Sequence, residues 1–204
     1  ISCSLVGSEM CIRDRYNTVD AYVVGNYVSK QALAAVGASS PITNMLIGFF
    51  MGLATGAGVV IAQYYGANDS KRLKQAIHSS AALTIVMAIF LTIVGVLFTN
   101  PLLHMIGIPA DVFPESSTYL TIYFGGITFA LIYNMGAGVL RAVGDSKRPL
   151  YFLVAACLTN IVLDLLLVRG FHMGVAGAAI ATDVSQALSA LLVCIVLMKS
   201  DEVY

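Results

Sequence analysis

Long apolar runs, separated by short polar stretches, leave this chain few ways to fold. They lie at about 32–65, 76–98, 119–139, 150–168 and 175–198, with a shorter one at about 16–28. A helix needs about 20 apolar residues to cross the hydrocarbon core of a bilayer. All but the shortest run meet that length. Hydrophobic residues make up 58% of the chain and charged residues 11%, against about 25% charged in ordinary soluble domains. With a mean hydropathy of +0.86, the expected class is all-α. The expected architecture is a polytopic bundle of six transmembrane helices, the first of them truncated. Net charge is zero, and no basic cluster interleaved with aromatics points to nucleic acid.

Residues 1–15, ISCSLVGSEMCIRDR, differ in character from the rest of the chain. They lack the basic start and long apolar core of a signal peptide, and they read as a non-native leader. The first span then opens mid-helix, and residues 199–204 read as the start of an interrupted connection to a further lobe. Cys157 and Cys194 fall inside apolar runs, and Cys3 and Cys11 fall in the leader. No pair has the spacing of a zinc site, and small apolar packing is the expectation. His78, His104 and His172 are dispersed near the ends of spans, without ligand spacing. Gly48, Gly52 and Gly56 stand four apart in the second span, the GxxxG spacing that lets another helix approach closely.

Orientation follows from the distribution of basic residues. With the leader set aside, Lys71, Arg72, Lys74, Arg141, Lys147, Arg148 and Lys199 share one side, and only Lys30 and Arg169 share the other. That places the start of the first span in the cytoplasm.

Against this apolar background a few polar residues stand out. Asn160 and Asp164 are four apart in the fifth span and share a face. Thr182 heads a stripe through Ser185, Gln186 and Ser189 in the sixth. At ~1.5 Å per residue, Asp164 lies ~6 Å, Thr182 ~11 Å and Asp20 ~12 Å from the outer ends of their spans. An ionised acid in mid-bilayer costs roughly 2.5–3.5 kcal/mol, so polar or acidic groups at similar depth on three helices suggest a shared cation site. The plainer alternative is that Asn160 and Asp164 are a hydrogen-bonded pair bracing helices. Tyr133 and Asn134, midway along the fourth span, either line a cavity or brace helices. Asp183 and Gln186 are further cavity-lining candidates.

Several stretches, in order, resemble the MATE (multidrug and toxic compound extrusion) family. They are YNTVDAYVVGNYVSKQALAAVG, GLATGAGVVIAQYYGAND, GVLRAVGDSKRPLYF, LTNIVLDLLLV and GVAGAAIATDVSQ, and the likeness covers residues 16–198. The resemblance implies one amino-terminal lobe of a twelve-helix, two-lobe transporter in a prokaryotic inner membrane. Such a protein is not an enzyme and needs no cofactor. It exports small amphipathic cations, a carboxy-terminal lobe being the partner this chain lacks, with lipid around both. The family's cation ligands match Asp20, Asn160, Asp164 and Thr182, which would take Na⁺ or H⁺. Carboxylate, amide and hydroxyl oxygens are hard ligands that suit sodium, and the carboxylates alone suit a proton. Asp183 departs from the pattern, since that position is usually apolar.

Two other activities fit less well. A flippase for lipid-linked saccharide precursors would carry basic residues in its cavity for a pyrophosphate, yet no span interior holds Lys or Arg. An intramembrane aspartyl protease would use Asp164 with Asp183 or Asp20 and would carry GxGD inside a span. The nearest match, residues 142–145, is AVGD and lies in a loop.

Overall fold

Lipid offers no partner for a backbone amide or carbonyl, so a chain crossing it satisfies these groups within each segment. The structure, a computed structural model, describes Thr18, Tyr22, residues 24–26, Val28 and residues 30–200, and the described residues contain helices and no strand. The second span is α1 (Lys30–Gly66), the third α2 (Ser70–Ile106) and the fourth α3 (Phe113–Ala142). The fifth is α4 (Lys147–Asp164), which continues as a wider π-helical turn over Leu165–Gly170, and the sixth is α5 (Gly174–Ser200). Each is long and apolar enough to cross a membrane.

The helices outrun the apolar runs that announce them. α2 begins at Ser70, because the Asp69 side chain accepts the Arg72 backbone N–H at 3.0 Å and caps the first turn. It then continues through Pro101 to Ile106. The gap between the apolar runs, from 98 to 119, therefore shrinks to a connection of residues 107–112. Gly107, at φ 76°, ends α2 in the left-handed conformation that glycine adopts without strain. Pro114 lies in the first turn of α3, where its missing N–H costs no helix bond.

α3 is the centre of the bundle. It packs against α5, α1 and α2, while α4 joins mainly through α5. Its membrane-length stretch of 18 residues has a mean hydropathy of 1.3, the lowest of the five, the others running from 2.0 to 2.7. Lipid tails are as apolar as leucine, so the most hydrophobic helices belong outside and a buried one gains more from close fit. Met45, Phe49, Val86, Leu97, Val162 and Leu191 accordingly point outward from α1, α2, α4 and α5. The close fit of α3 comes from glycine. A Cβ on Gly138 would lie 3.1 Å from the Ala54 carbonyl of α1, and one on Gly136 would overlap Val193 of α5.

Among the described residues, the glycines expected to serve this purpose do not. A Cβ on Gly48, Gly52 or Gly56 would meet nothing within 4 Å. Their spacing sets them on one face of α1, but that face turns away from the described helices. The α1–α3 crossing runs instead through Gly58, Gly138 and Ala54.

Candidate functional site

Asn160 and Asp164 are both fully buried in the last two turns of α4. The helix then widens into the π turn, which packs against the start of α5. Gly177 permits that approach, since a Cβ there would lie 3.3 Å from both the backbone carbon and the Cβ of Leu167. Thr182 is buried on α5, the helix that α4 packs against. Counting from Gly170 and Gly174, Asp164 and Thr182 lie ~9 Å and ~12 Å along their helices from the shared connection. Their depths agree more closely than the apolar runs alone suggest, because the π turn carries the helix of Asp164 further out.

The hydrogen bonds around these residues set what they can bind. Thr182 donates its hydroxyl proton to the Ala178 carbonyl at 3.0 Å, so toward any further group its oxygen can only accept. Ser185 donates likewise to the Thr182 carbonyl, and Ser189 to that of Gln186, both at 2.8 Å. Neither the oxygen nor the nitrogen of the Asn160 amide has a hydrogen-bond partner among the described residues. An orphaned buried polar group costs about 1–3 kcal/mol, and few native structures leave one without a reason. Acid, amide and hydroxyl, buried on two helices that pack together, offer oxygens of the kind that suit a small cation. Asp20, the remaining member of the expected set, lies outside the described residues.

A narrow cleft of about 40 Å³ adjoins this cluster, enough for a few waters. It lies where α3, α4 and α5 meet, and its walls include Tyr133, Asn134, Cys157, Ser185, Gln186 and Ser189. Cys157 and Ser185 stand about one turn from Asn160 and Thr182, so the cleft continues the cluster toward the other end of both helices. Tyr133 and Asn134 both border the cleft, and Tyr133 also braces helices, donating to the Pro149 carbonyl of α4 at 3.0 Å. Asn134 donates instead to the Ala130 carbonyl of its own helix at 2.7 Å.

Asp183 does not join them. It borders no part of the cleft, and its carboxyl rests against Gly126 of α3 instead. The sequence signal for that contact is the glycine content of the fourth span, which is less regular than the spacing in the second. Among the described residues, no group of three or more His, Cys, Asp and Glu side chains forms a metal cluster.

The MatE family profile matches residues 6–166, taking in ten residues of the stretch set aside as a leader. A relative in Bacillus subtilis (strain 168), the probable multidrug resistance protein YoeA, is 32% identical over 89% of this chain and 40% of its own. A multidrug resistance MATE family transporter of the MOP superfamily, solved facing outward, superposes with a TM-score of 0.87 at 27% identity. That match covers 95% of this chain and 43% of the solved one. An inward-facing MATE transporter of the same superfamily superposes with a TM-score of 0.84 at 26% identity, over 89% and 41%. The chain thus spans about two-fifths of the length of the relatives it matches. From the profile, the relatives and the shared fold together, the chain belongs to the MATE family of multi-pass membrane transporters.

Proposed function

We propose that this chain is one lobe of a cation-coupled exporter that carries amphipathic cations across the cytoplasmic membrane by alternating access. Coupling is to Na⁺ or H⁺, bound by Asp164, Asn160 and Thr182 together with Asp20. The observation that carries this reading is the Asn160 amide, buried without a hydrogen-bond partner among the described residues, on the same helix face as a fully buried acid. An asparagine that merely braced helices would satisfy its own amide. One awaiting an ion leaves it open.

The likeness to both an inward-facing and an outward-facing transporter, at TM-scores of 0.84 and 0.87, supports a lobe that keeps its shape through the cycle. Access then alternates chiefly by motion of one lobe against another, with the ion biasing the balance. No Lys or Arg lies within α1–α5 away from their ends, which favours cationic cargo over a pyrophosphate-linked one. The reading assigns the protein no catalytic chemistry.

The test is ethidium efflux from vesicles bearing the intact transporter, under an imposed sodium or proton gradient. Asp164→Asn keeps the shape and most hydrogen bonding of the side chain but removes its charge and proton. The expected outcome is normal expression with gradient-driven efflux reduced to background. Wild-type efflux from Asp164→Asn at equal expression would remove the site.

A further inference from the structure

α1 and α2 each pack closely along α3 but less closely on each other, and a groove of about 460 Å³ runs between them. Its floor is the ring of Phe124 on α3, which occupies the space that a Cβ on Gly95 of α2 would fill. No polar side chain lines the groove. Met45 on the α1 wall and Met105 on the α2 wall are 78% and 82% exposed. Unbranched and flexible, such side chains adapt to whatever apolar shape lies against them.

In a multi-pass membrane protein that shape is hydrocarbon. The groove is continuous with the outward-facing apolar surface of α1 and α2, where Phe49, Val86 and Leu97 stand exposed. Water would find no partner in it, and apolar cavities of this kind stay dry. Along α2 the groove reaches from Leu91 to Ile106, ~22 Å at ~1.5 Å per residue. Half of a bilayer ~40–45 Å thick with its head groups is the same depth. The groove therefore has the reach of one phospholipid standing in one leaflet.

Charge at the end of the groove narrows the head group. Ile106 leads directly into the connection of residues 107–112, and this connection with the first turn of α3 holds Asp111 and Glu115 but no Lys or Arg. Asp111 is exposed, and Oε2 of Glu115 is buried without a hydrogen-bond partner among the described residues. The His104 ring packs on Phe113. The basic residues of this end, Lys30 and Arg169, belong to the start of α1 and to the π turn after α4. Carboxylates complement an ammonium group, which donates charge-assisted hydrogen bonds to them. A head group of phosphate and hydroxyls alone would bring a like charge to both acids.

We propose that this groove is a bound-lipid site, holding an acyl chain of a phospholipid with an amine head group where α2 joins α3. The chain is held on three sides, by α1, α2 and Phe124, so it exchanges more slowly than lipid against the outer faces of the helices.

Native mass spectrometry of the intact transporter, released from nanodiscs of equal phosphatidylethanolamine and phosphatidylglycerol, tests the site. The wild type is expected to retain phosphatidylethanolamine in preference to phosphatidylglycerol. Met45→Trp combined with Met105→Trp narrows the groove from two exposed positions, where folding is not at stake, and is expected to lose that lipid. Asp111→Asn combined with Glu115→Gln is expected to keep a lipid but lose the preference between head groups. Equal retention of the two lipids by the wild type overturns the proposal, as does a preference that survives the loss of both acids. Retention unchanged in the double tryptophan variant overturns it too. So does a wild type that retains no lipid, since another part of the transporter then covers the groove.

Discussion

At the scale of single residues, the site is defined by which hydrogen bonds are already spent. Because Thr182 gives its proton to Ala178, only its oxygen lone pairs remain for a cation, and serine at 182 offers the same atoms. Thr182→Ser is therefore expected to transport like wild type. Thr182→Val loses the oxygen and should weaken the coupling cation by about 10- to 100-fold, the equivalent of one hydrogen bond to a charged group at about 1.5–3 kcal/mol. The check is half-maximal efflux against sodium or proton concentration; equal values for Val and Ser would mean that the hydroxyl serves only its own helix. Asn160→Leu removes the orphaned amide and fills its space with apolar atoms. It should raise thermal stability by about 1 kcal/mol or more while abolishing coupled efflux, a stability–function exchange that a bracing asparagine would not produce.

At the scale of helices, two sets of glycines make opposite predictions. Gly138 stands where α3 crosses α1 against the Ala54 carbonyl at 3.1 Å, and Gly138→Leu forces the two backbones apart. Overpacking of this kind costs about 1–3 kcal/mol. Gly52 meets nothing, so Gly52→Ala should be neutral or stabilising by up to about 1 kcal/mol through helix propensity. Thermal unfolding of the chain in detergent compares the two, and greater damage from Gly52→Ala would reverse the assignment of the crossing. The regular GxxxG spacing in α1 was legible in the sequence, but its direction was not. Spacing sets residues on a common face, and only the neighbouring helices determine whether that face is covered.

At the scale of the whole molecule, the asymmetry of basic residues predicts an orientation. Single cysteines at Lys71 and Lys147, in a version otherwise free of cysteine, should resist an impermeant reagent added outside. Those at Asp111 and His172 should react with it, since both are exposed in connections at the opposite end of the bundle. Labelling at position 147 from outside would invert the topology and with it the direction of the proposed transport.

The sequence by itself determined the class of fold, the number and order of the long helices and the identity of Asn160, Asp164 and Thr182 as misfits in an apolar setting. Hydrophobic length and the cost of a polar group in lipid are local properties, and they can be read one segment at a time. Tertiary structure decided how the central helix is covered, since the low hydropathy of α3 can be read in advance but what packs against its glycines cannot. It also separated two adjacent residues, Thr182 and Asp183. They lie one position apart in the chain, yet a turn of about 100° leaves one buried and bonded to its own helix at Ala178 and sends the other into the hollow of Gly126. Which neighbour each meets depends on where α3 and α4 stand around α5, and that placement arises only when all the helices pack together.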